Sequence, residues 1–438
     1  MGIYFGTDGI RGVVNDFLTS GLAYKCGNAL GRSKENPVIL VGRDTRTTGS
    51  FLTVAFASGA LDSGANVIDI GICPTAGIAY ITKKLGYDYG TVISASHNPP
   101  EYNGIKIFDE NGFKLGDHKE DNLERTFVNK VCKPYNQIGV FTQDFSLVKL
   151  YEDYLVECCD GDLKDLKIVL DCSNGAAYSV APTVFERLGA TIYPIYNNND
   201  GENINNNCGA VYPENMCKYV KEVGADMGFA FDGDSDRIIA CDGDGNVIDG
   251  DIIIYMLAKY LKGQGKLDRN IVVGTRHTNM GLEKSLNEDG IKLIRTDIGD
   301  KYVIAKIEEE KLTLGGEKSG HIIFRELSTT GDGVLTGIKL AEMTKKLCKS
   351  LKELSNVTLY PQININCVVN DKMKIINSEE LNKEIEKQEK LLDDSSRIMV
   401  RVSGTENKIR VMVESLDENQ ATISAKAIEK VILEVDEK

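Results

Sequence analysis

Three aspartates alternate in the stretch FAFDGDSDRIIA: Asp232, Asp234 and Asp236, directly after the apolar Phe229-Ala230-Phe231. Carboxylates packed this closely repel one another strongly unless a divalent cation neutralises them. An all-oxygen donor set suits a hard ion such as Mg²⁺, which keeps an octahedral shell completed by other oxygens. An EF-hand is the obvious rival, but the twelfth position counted from Asp232 is Gly243 rather than Glu. Where its second helix would stand there is an apolar strand run, Ile238-Ile239-Ala240. The plain alternative is a solvated acidic turn, and the nearby DGDGN (242–246), between two strand runs, reads as a hairpin turn.

A second chemical stretch is TVISASHNPPEYNGIKIF, residues 91–108. Thr91-Val92-Ile93 reads as the end of a buried strand, and the chain then breaks into small and turn-forming residues. Pro99 and Pro100 remove two backbone donors and forbid a helix, so Ser96 sits in a stiff, irregular loop. A serine at a strand's carboxyl end, followed by His97 and Asn98, is placed to act as nucleophile or phosphate carrier. Asn103-Gly104 is expected to turn the chain back into a strand that carries Lys106.

Three further loops offer anion or sugar contacts. GTDGIRG (6–12) presents Arg11 between glycines. In LGGEKSGHIIF (314–324) Gly315-Gly316 would let the backbone approach a ligand. There Glu317 and Ser319 could hold vicinal sugar hydroxyls, or a hydroxyl and an amine, and His321 is a candidate acid or base. RVSGTENKIR (401–410) gathers Arg401, Ser403, Gly404, Thr405 and Arg410 on a strand–loop–strand, an arrangement suited to phosphate.

These loops need scaffolds. VILVG (38–42), a helical run through FLTVAFASGALDSG and NVIDIG (66–71) form a βαβ unit. The same grammar returns at residues 167–196 and 270–299, a domain-sized spacing. The expected fold class is α/β: three tandem similar α/β domains plus a C-terminal α+β domain, around a central cleft. Expected boundaries are 1–148 with the serine loop, 149–250 with the acidic loop, 251–360 with the sugar loop, and 361–438 with the phosphate loop.

At 438 residues with a formal charge of −14, the chain is a multidomain globular protein with no electrostatic case for nucleic acid or anionic membrane as partner. No apolar run is long enough to cross a bilayer, and the first residues lack the pattern of a secretory signal. Eleven cysteines without a C-x-x-C motif read as reduced packing residues of a cytoplasmic protein.

Taken together and in this order, GTDGIRG, SASHNPPEYNGIK, DGDSDR, GGEKSGH and RVSGTENKIR resemble the motifs of the α-D-phosphohexomutases over the whole chain. FGTDGIRG, TTGDG (329–333), YPQ (360–362) and RVMVE are most similar to the family's bacterial amino-sugar branch. The resemblance implies an isomerase, and more closely an enzyme that interconverts glucosamine 6-phosphate and glucosamine 1-phosphate, feeding UDP-N-acetylglucosamine and cell-wall synthesis. The alternative is the same chemistry on glucose or mannose phosphates. It also implies a small-molecule sugar phosphate as partner and a hexose 1,6-bisphosphate as intermediate and activator. A homodimer is an allowed assembly.

Position by position, the resemblance makes Ser96 the phosphoryl carrier. It gives Asp232, Asp234 and Asp236 to one Mg²⁺, with a phosphoserine oxygen completing the protein ligands. Arg11 and Arg237 would neutralise the moving phosphate, and Lys106 and His321 would assist proton transfer or orient the acceptor hydroxyl. His97, Glu317 and Ser319 would meet the substrate, and the loop from Arg401 to Arg410 would hold the non-reacting phosphate. Ser235 stands where the family commonly has Gly, a change expected to leave the three carboxylates in place. A phosphatase or a non-catalytic sensor would share parts of this set. The dedicated second phosphate loop argues against the former and the intact Ser96, Lys106 and aspartates against the latter.

Overall fold

The computed structural model describes residues 3–6, 8–393, 395–403 and 407–437. Gly404 and Thr405 lie outside the described residues. By packing the chain divides into two compact units, residues 1–277 with 291–356, and residues 278–290 with 357–438.

The first unit contains three mixed sheets. The first holds β1 (Ile10–Val13), β2 (Val38–Arg43), β3 (Asn66–Ile72), β4 (Tyr89–Ile93), β5 (Tyr102–Asp109) and β6 (Phe141–Gln143), in spatial order β1-β5-β4-β2-β3-β6. The second holds β7 (Lys167–Asp171), β8 (Thr191–Ile195), β9 (Met227–Phe231), β10 (Ile238–Asp242) and β11 (Val247–Ile248), in order β11-β10-β9-β7-β8. The third holds β12 (Ile271–Thr275), β13 (Lys292–Thr296), β14 (Leu314–Gly316) and β15 (Ile322–Phe324), in order β13-β12-β14-β15.

One four-strand pattern underlies all three. A first strand pairs in parallel with the strand that follows it across a helix (β2 with β3, β7 with β8, β12 with β13). On its other side it takes a third parallel strand (β4, β9, β14). That third strand hands over to an antiparallel one, β5, β10 or β15. The inner strands are apolar runs buried on both faces, as parallel sheets flanked by helices require. The handover from the last parallel strand to the antiparallel one is the Ser96 loop in the first sheet, the aspartate loop in the second and the Glu317–His321 loop in the third. Three chemically different loops therefore occupy one topological slot.

Two local expectations fail. Asn103 and Gly104 do not form a turn: they lie inside β5, opposite Gly12 and Arg11 of β1. A side chain on Gly104 would meet the Ser94 and Ile10 carbonyls at 2.4 and 2.8 Å, so the glycine serves close strand packing. Gly315 and Gly316 likewise lie inside β14, where an added Cβ would strike the Val273 and His321 carbonyls. They bring strands together and present no bare backbone to a ligand.

The second unit contains a three-stranded antiparallel sheet, β16 (Gln362–Val368), β17 (Arg397–Val402) and β18 (Lys408–Glu414), in order β16-β18-β17. Ile409, Val411 and Val413 alternate on one face of β18 and pack with Ile428 and Ile432 of the long helix Glu418–Asp436. This is an α+β layer. All eleven cysteines are free, and no helix among the described residues is long and apolar enough to cross a membrane.

Candidate active site

Ser96 ends the buried run of β4 and is itself buried. Its Oγ donates to Asp232 Oδ2 at 2.5 Å, bringing the first and second sheet loops together. One ligand oxygen from each of Asp232, Asp234 and Asp236 lies within 4.8 Å of the others, and all three residues are buried. Asp234 Oδ1 and Asp236 Oδ1 have no hydrogen-bond partner among the described residues. Burial, then the Asp236 and Asp234 carboxylates, push Asp232 well above the usual carboxylate range. Orphaned, hard oxygen donors held this close together fit a divalent ion.

Lys106 of β5 reaches the cluster from the other side. Its Nζ lies 2.7 Å from Asp234 Oδ2 and 3.1 Å from Asp236 Oδ2. Burial alone would lower its pKa, but Asp234, Asp236 and Asp8 outweigh that and keep it a cation. Thr75 Oγ1, at the start of helix Thr75–Leu85, donates to Asp234 Oδ2 at 2.7 Å. Arg237 follows the loop and donates its backbone N–H to Asp232 Oδ1 at 3.1 Å, with Nε 3.9 Å from Asp236 Oδ1. Arg11 of β1 pairs with Asp8 and donates NH1 to Asn98 Oδ1 at 3.3 Å. His97 Nδ1 is 3.5 Å from Ser96 Oγ. Burial, then Arg237 and Arg11, push its ring down to about 3, so it is neutral.

The third sheet contributes His321, 2% exposed, with neither ring nitrogen hydrogen-bonded among the described residues. Glu317 Oε1 accepts the Gly299 N–H at 3.2 Å, and burial raises its carboxyl. Ser319 is exposed on the same loop. Between these named residues the structure adds three that the sequence alone did not single out. Asp236 Oδ2 to Lys106 Nζ (3.1 Å), Lys106 to Asp8 Oδ2 (3.3 Å) and Asp8 Oδ1 to Lys114 Nζ (2.5 Å) begin a chain. Lys114 then pairs with Asp300, whose Oδ2 lies 3.7 Å from His321 Nε2, itself 3.9 Å from Asp236 Oδ2.

The chain closes into a ring of six side chains drawn from the first, second and third sheets. Carboxylates and lysines alternate from Asp236 through Lys106, Asp8 and Lys114 to Asp300, which is how so many ionisable groups are tolerated together, and His321 completes the ring. Burial would lower the Lys114 amine, yet Asp300 and Asp8 raise it; burial would raise Asp8 and Asp300, yet their cationic neighbours hold both low. Asp8 sits in the GTDGIRG motif and could have been suspected; Lys114 and Asp300 carry no local signal.

In the second unit, Arg401 of β17 stands directly opposite Arg410 of β18. Like charges across a strand pair repel, and burial followed by Arg410 lowers the Arg401 pKa. Such a pair is relieved by an anion. Ser403, buried beside them, donates its backbone N–H to Lys408 O at 2.8 Å.

Profiles of the phosphoglucomutase/phosphomannomutase family match four successive segments. They are alpha/beta/alpha domain I over residues 2–131, domain II over 149–245, domain III over 249–360 and the C-terminal domain over 365–431. The chain belongs to this family of phosphohexomutases. A phosphoglucosamine mutase of Clostridium novyi is 44% identical over 99% of both chains. Among solved structures, a phosphoglucomutase/phosphomannomutase family protein of Burkholderia thailandensis superposes with a TM-score of 0.79 at 24% identity, covering 98% of this chain and 97% of that one. The N-acetylphosphoglucosamine mutase of Aspergillus fumigatus, solved with GlcNAc-6P and magnesium, gives 0.68 at 17% identity over 99% and 96%.

Proposed function

We propose that the chain is a phosphoglucosamine mutase. It interconverts glucosamine 6-phosphate and glucosamine 1-phosphate through a phosphoserine on Ser96 and a hexosamine 1,6-bisphosphate. The observation that carries the reading is the 2.5 Å contact of Ser96 Oγ with a buried carboxylate triad, two of whose oxygens have no hydrogen-bond partner among the described residues. The phosphoglucosamine mutase relatives supply the sugar.

Phosphoryl transfer asks for alignment and charge neutralisation above all. In the first half-reaction a sugar hydroxyl oxygen bonds to the phosphorus of phosphoserine while the bond from phosphorus to Ser96 Oγ breaks. In the second, Ser96 Oγ takes the other phosphoryl group of the bisphosphate, whose own P–O bond to the sugar breaks. Asp232, Asp234 and Asp236 would hold Mg²⁺, which when bound supplies positive charge at the phosphoryl oxygens. Lys106, Arg11 and Arg237 add fixed positive charge from three strands and loops. His321, whose ring nitrogens have no hydrogen-bond partner among the described residues, takes or returns the proton of the acceptor hydroxyl, and Glu317, Ser319 and His97 orient the sugar. Arg401, Ser403 and Arg410 grip the phosphate that is not being transferred.

Ser96→Ala should abolish turnover and leave the melting temperature within a few degrees of wild type. Retention of near wild-type kcat would overturn the reading. A panel of glucosamine, glucose and mannose phosphates, assayed with Mg²⁺ and the matching bisphosphate, reads the sugar: highest kcat/KM on glucosamine phosphate is expected.

A further inference from the structure

Ser96 has φ of 53°, the left-handed region that a serine occupies only when its surroundings hold it there. Two prolines in its loop remove N–H donors, so the loop's carbonyls need partners from elsewhere. Arg46, three residues after β2 ends at Arg43, supplies them. It is 2% exposed, and all five of its guanidinium N–H groups have acceptors. NH2 donates to Ser96 O (3.0 Å) and Asn98 O (2.7 Å), and NH1 to Tyr102 O (3.0 Å) and Pro99 O. Nε donates to Asp44 Oδ2 at 3.0 Å. The same Asp44 oxygen accepts Ser94 Oγ–H at 2.5 Å, and Ser94 Oγ accepts the Ser96 N–H at 2.9 Å. Both backbone polar groups of Ser96 are thus held from the first sheet.

The second sheet's domain holds the same carbonyl again. Asn205 Nδ2 donates to Ser96 O at 2.8 Å and to Asn98 O at 3.0 Å. Gly233 of the aspartate loop packs so tightly that a Cβ there would lie 2.5 Å from Ser96 O. Neither Arg46 nor Asn205 makes a hydrogen bond to Ser96 Oγ, to the triad or to His321.

We infer that Arg46 and Asn205 are positioning residues: together they fix the direction of Ser96 Oγ, so that it gives and regains a phosphoryl group at one point beside Asp232. The inference rests on the mutase reading. A phosphoserine that serves two half-reactions must return to the same place although the sugar has turned over between them. A loop free to swing would bind sugar phosphate as before and transfer slowly. The two clamps come from different domains, so the serine's position also fixes how the serine loop sits on the aspartate loop.

The test uses the full chain. Asn205→Gly deletes the amide and suits a backbone already at φ of 57°. Arg46→Lys keeps the charge beside Asp44 and loses the fork. With glucosamine 6-phosphate, Mg²⁺ and bisphosphate, kcat should fall about 10- to 100-fold for Asn205→Gly and further for Arg46→Lys. KM should stay within about twofold and the Asn205→Gly melting temperature within a few degrees. Should Arg46→Lys fail to fold, Asn205→Gly decides alone. Wild-type kcat in a folded Asn205→Gly, or a loss confined to KM, overturns the inference. Absence of turnover in wild type would instead refute the mutase reading.

Discussion

Ser235 shows how one residue can be strained without touching the chemistry. It sits between Asp234 and Asp236 with φ of 61°, and its buried Oγ has no hydrogen-bond partner among the described residues. A left-handed backbone costs a non-glycine residue about 1–2 kcal/mol, and an unsatisfied buried hydroxyl about 1–3. Glycine gives back roughly 0.5–1 kcal/mol through unfolded-chain entropy. Ser235→Gly should therefore stabilise the protein by about 1 kcal/mol or more, read as a raised melting temperature, with Mg²⁺ dependence and kcat unchanged. A lowered melting temperature would show that the hydroxyl has a task. At this scale the sequence was legible where residue types cluster: the triad, Ser96 and Lys106 do come together. It was mute about Arg46, because RDTR looks like any polar turn after a strand and its role depends on carbonyls more than fifty positions away in three-dimensional register.

Among the elements, helix Gly333–Leu347 depends on a single residue of the TTGDG motif. Asp332 caps it, accepting the Leu335 N–H at 2.9 Å and the buried Tyr151 hydroxyl at 2.8 Å. Asp332→Ala removes a cap worth about 1 kcal/mol and strands a buried hydroxyl at about 1–3, a total near 2–4 kcal/mol in urea unfolding. Burial also pushes this carboxyl from 3.8 up to about 6. The folded chain then keeps a proton that the unfolded chain releases. Its contribution to stability is greatest below the unfolded value and falls as pH rises from about 4 to 6, with no further change above. Asp332→Asn should gain stability relative to wild type across that window; a constant difference would mean that the carboxyl is already ionised. Strands and helices were legible because their apolar periods were clear. The glycines of β5 and β14 misled, since tight strand contact and turns select the same residue.

Across the whole first unit, the ring through Lys106, Lys114 and His321 ties three sheets at one point. Lys114 serves Asp8, 106 positions away, and Asp300, 186 positions away. Lys114→Met would take the lysine from the buried Asp300, while Asp8 keeps Arg11 and Lys106, and should cost about 3 kcal/mol. The neighbouring Lys301–Asp117 pair, at 2.8 Å but with Asp117 63% exposed, joins the same domains at the surface. Asp117→Asn there should cost under about 1 kcal/mol. Equal urea midpoints for the two variants would show that the ring contributes no more than a surface pair. No reading of the sequence finds Lys114–Asp300, because neither residue has a neighbour that marks it and only the assembled sheets bring them within reach.

The shared strand order has a consequence for how such a protein can change. The Ser96 loop, the aspartate loop and the Glu317–His321 loop hang from the same socket in three copies of one frame, each fed by its own pair of strands. In the proposed mutase, a mutation in the Glu317–His321 socket would shift which hexose is accepted while the other two sockets keep their residues. Substrate preference would in that mutase be a detachable part, exchangeable without rebuilding the transfer chemistry.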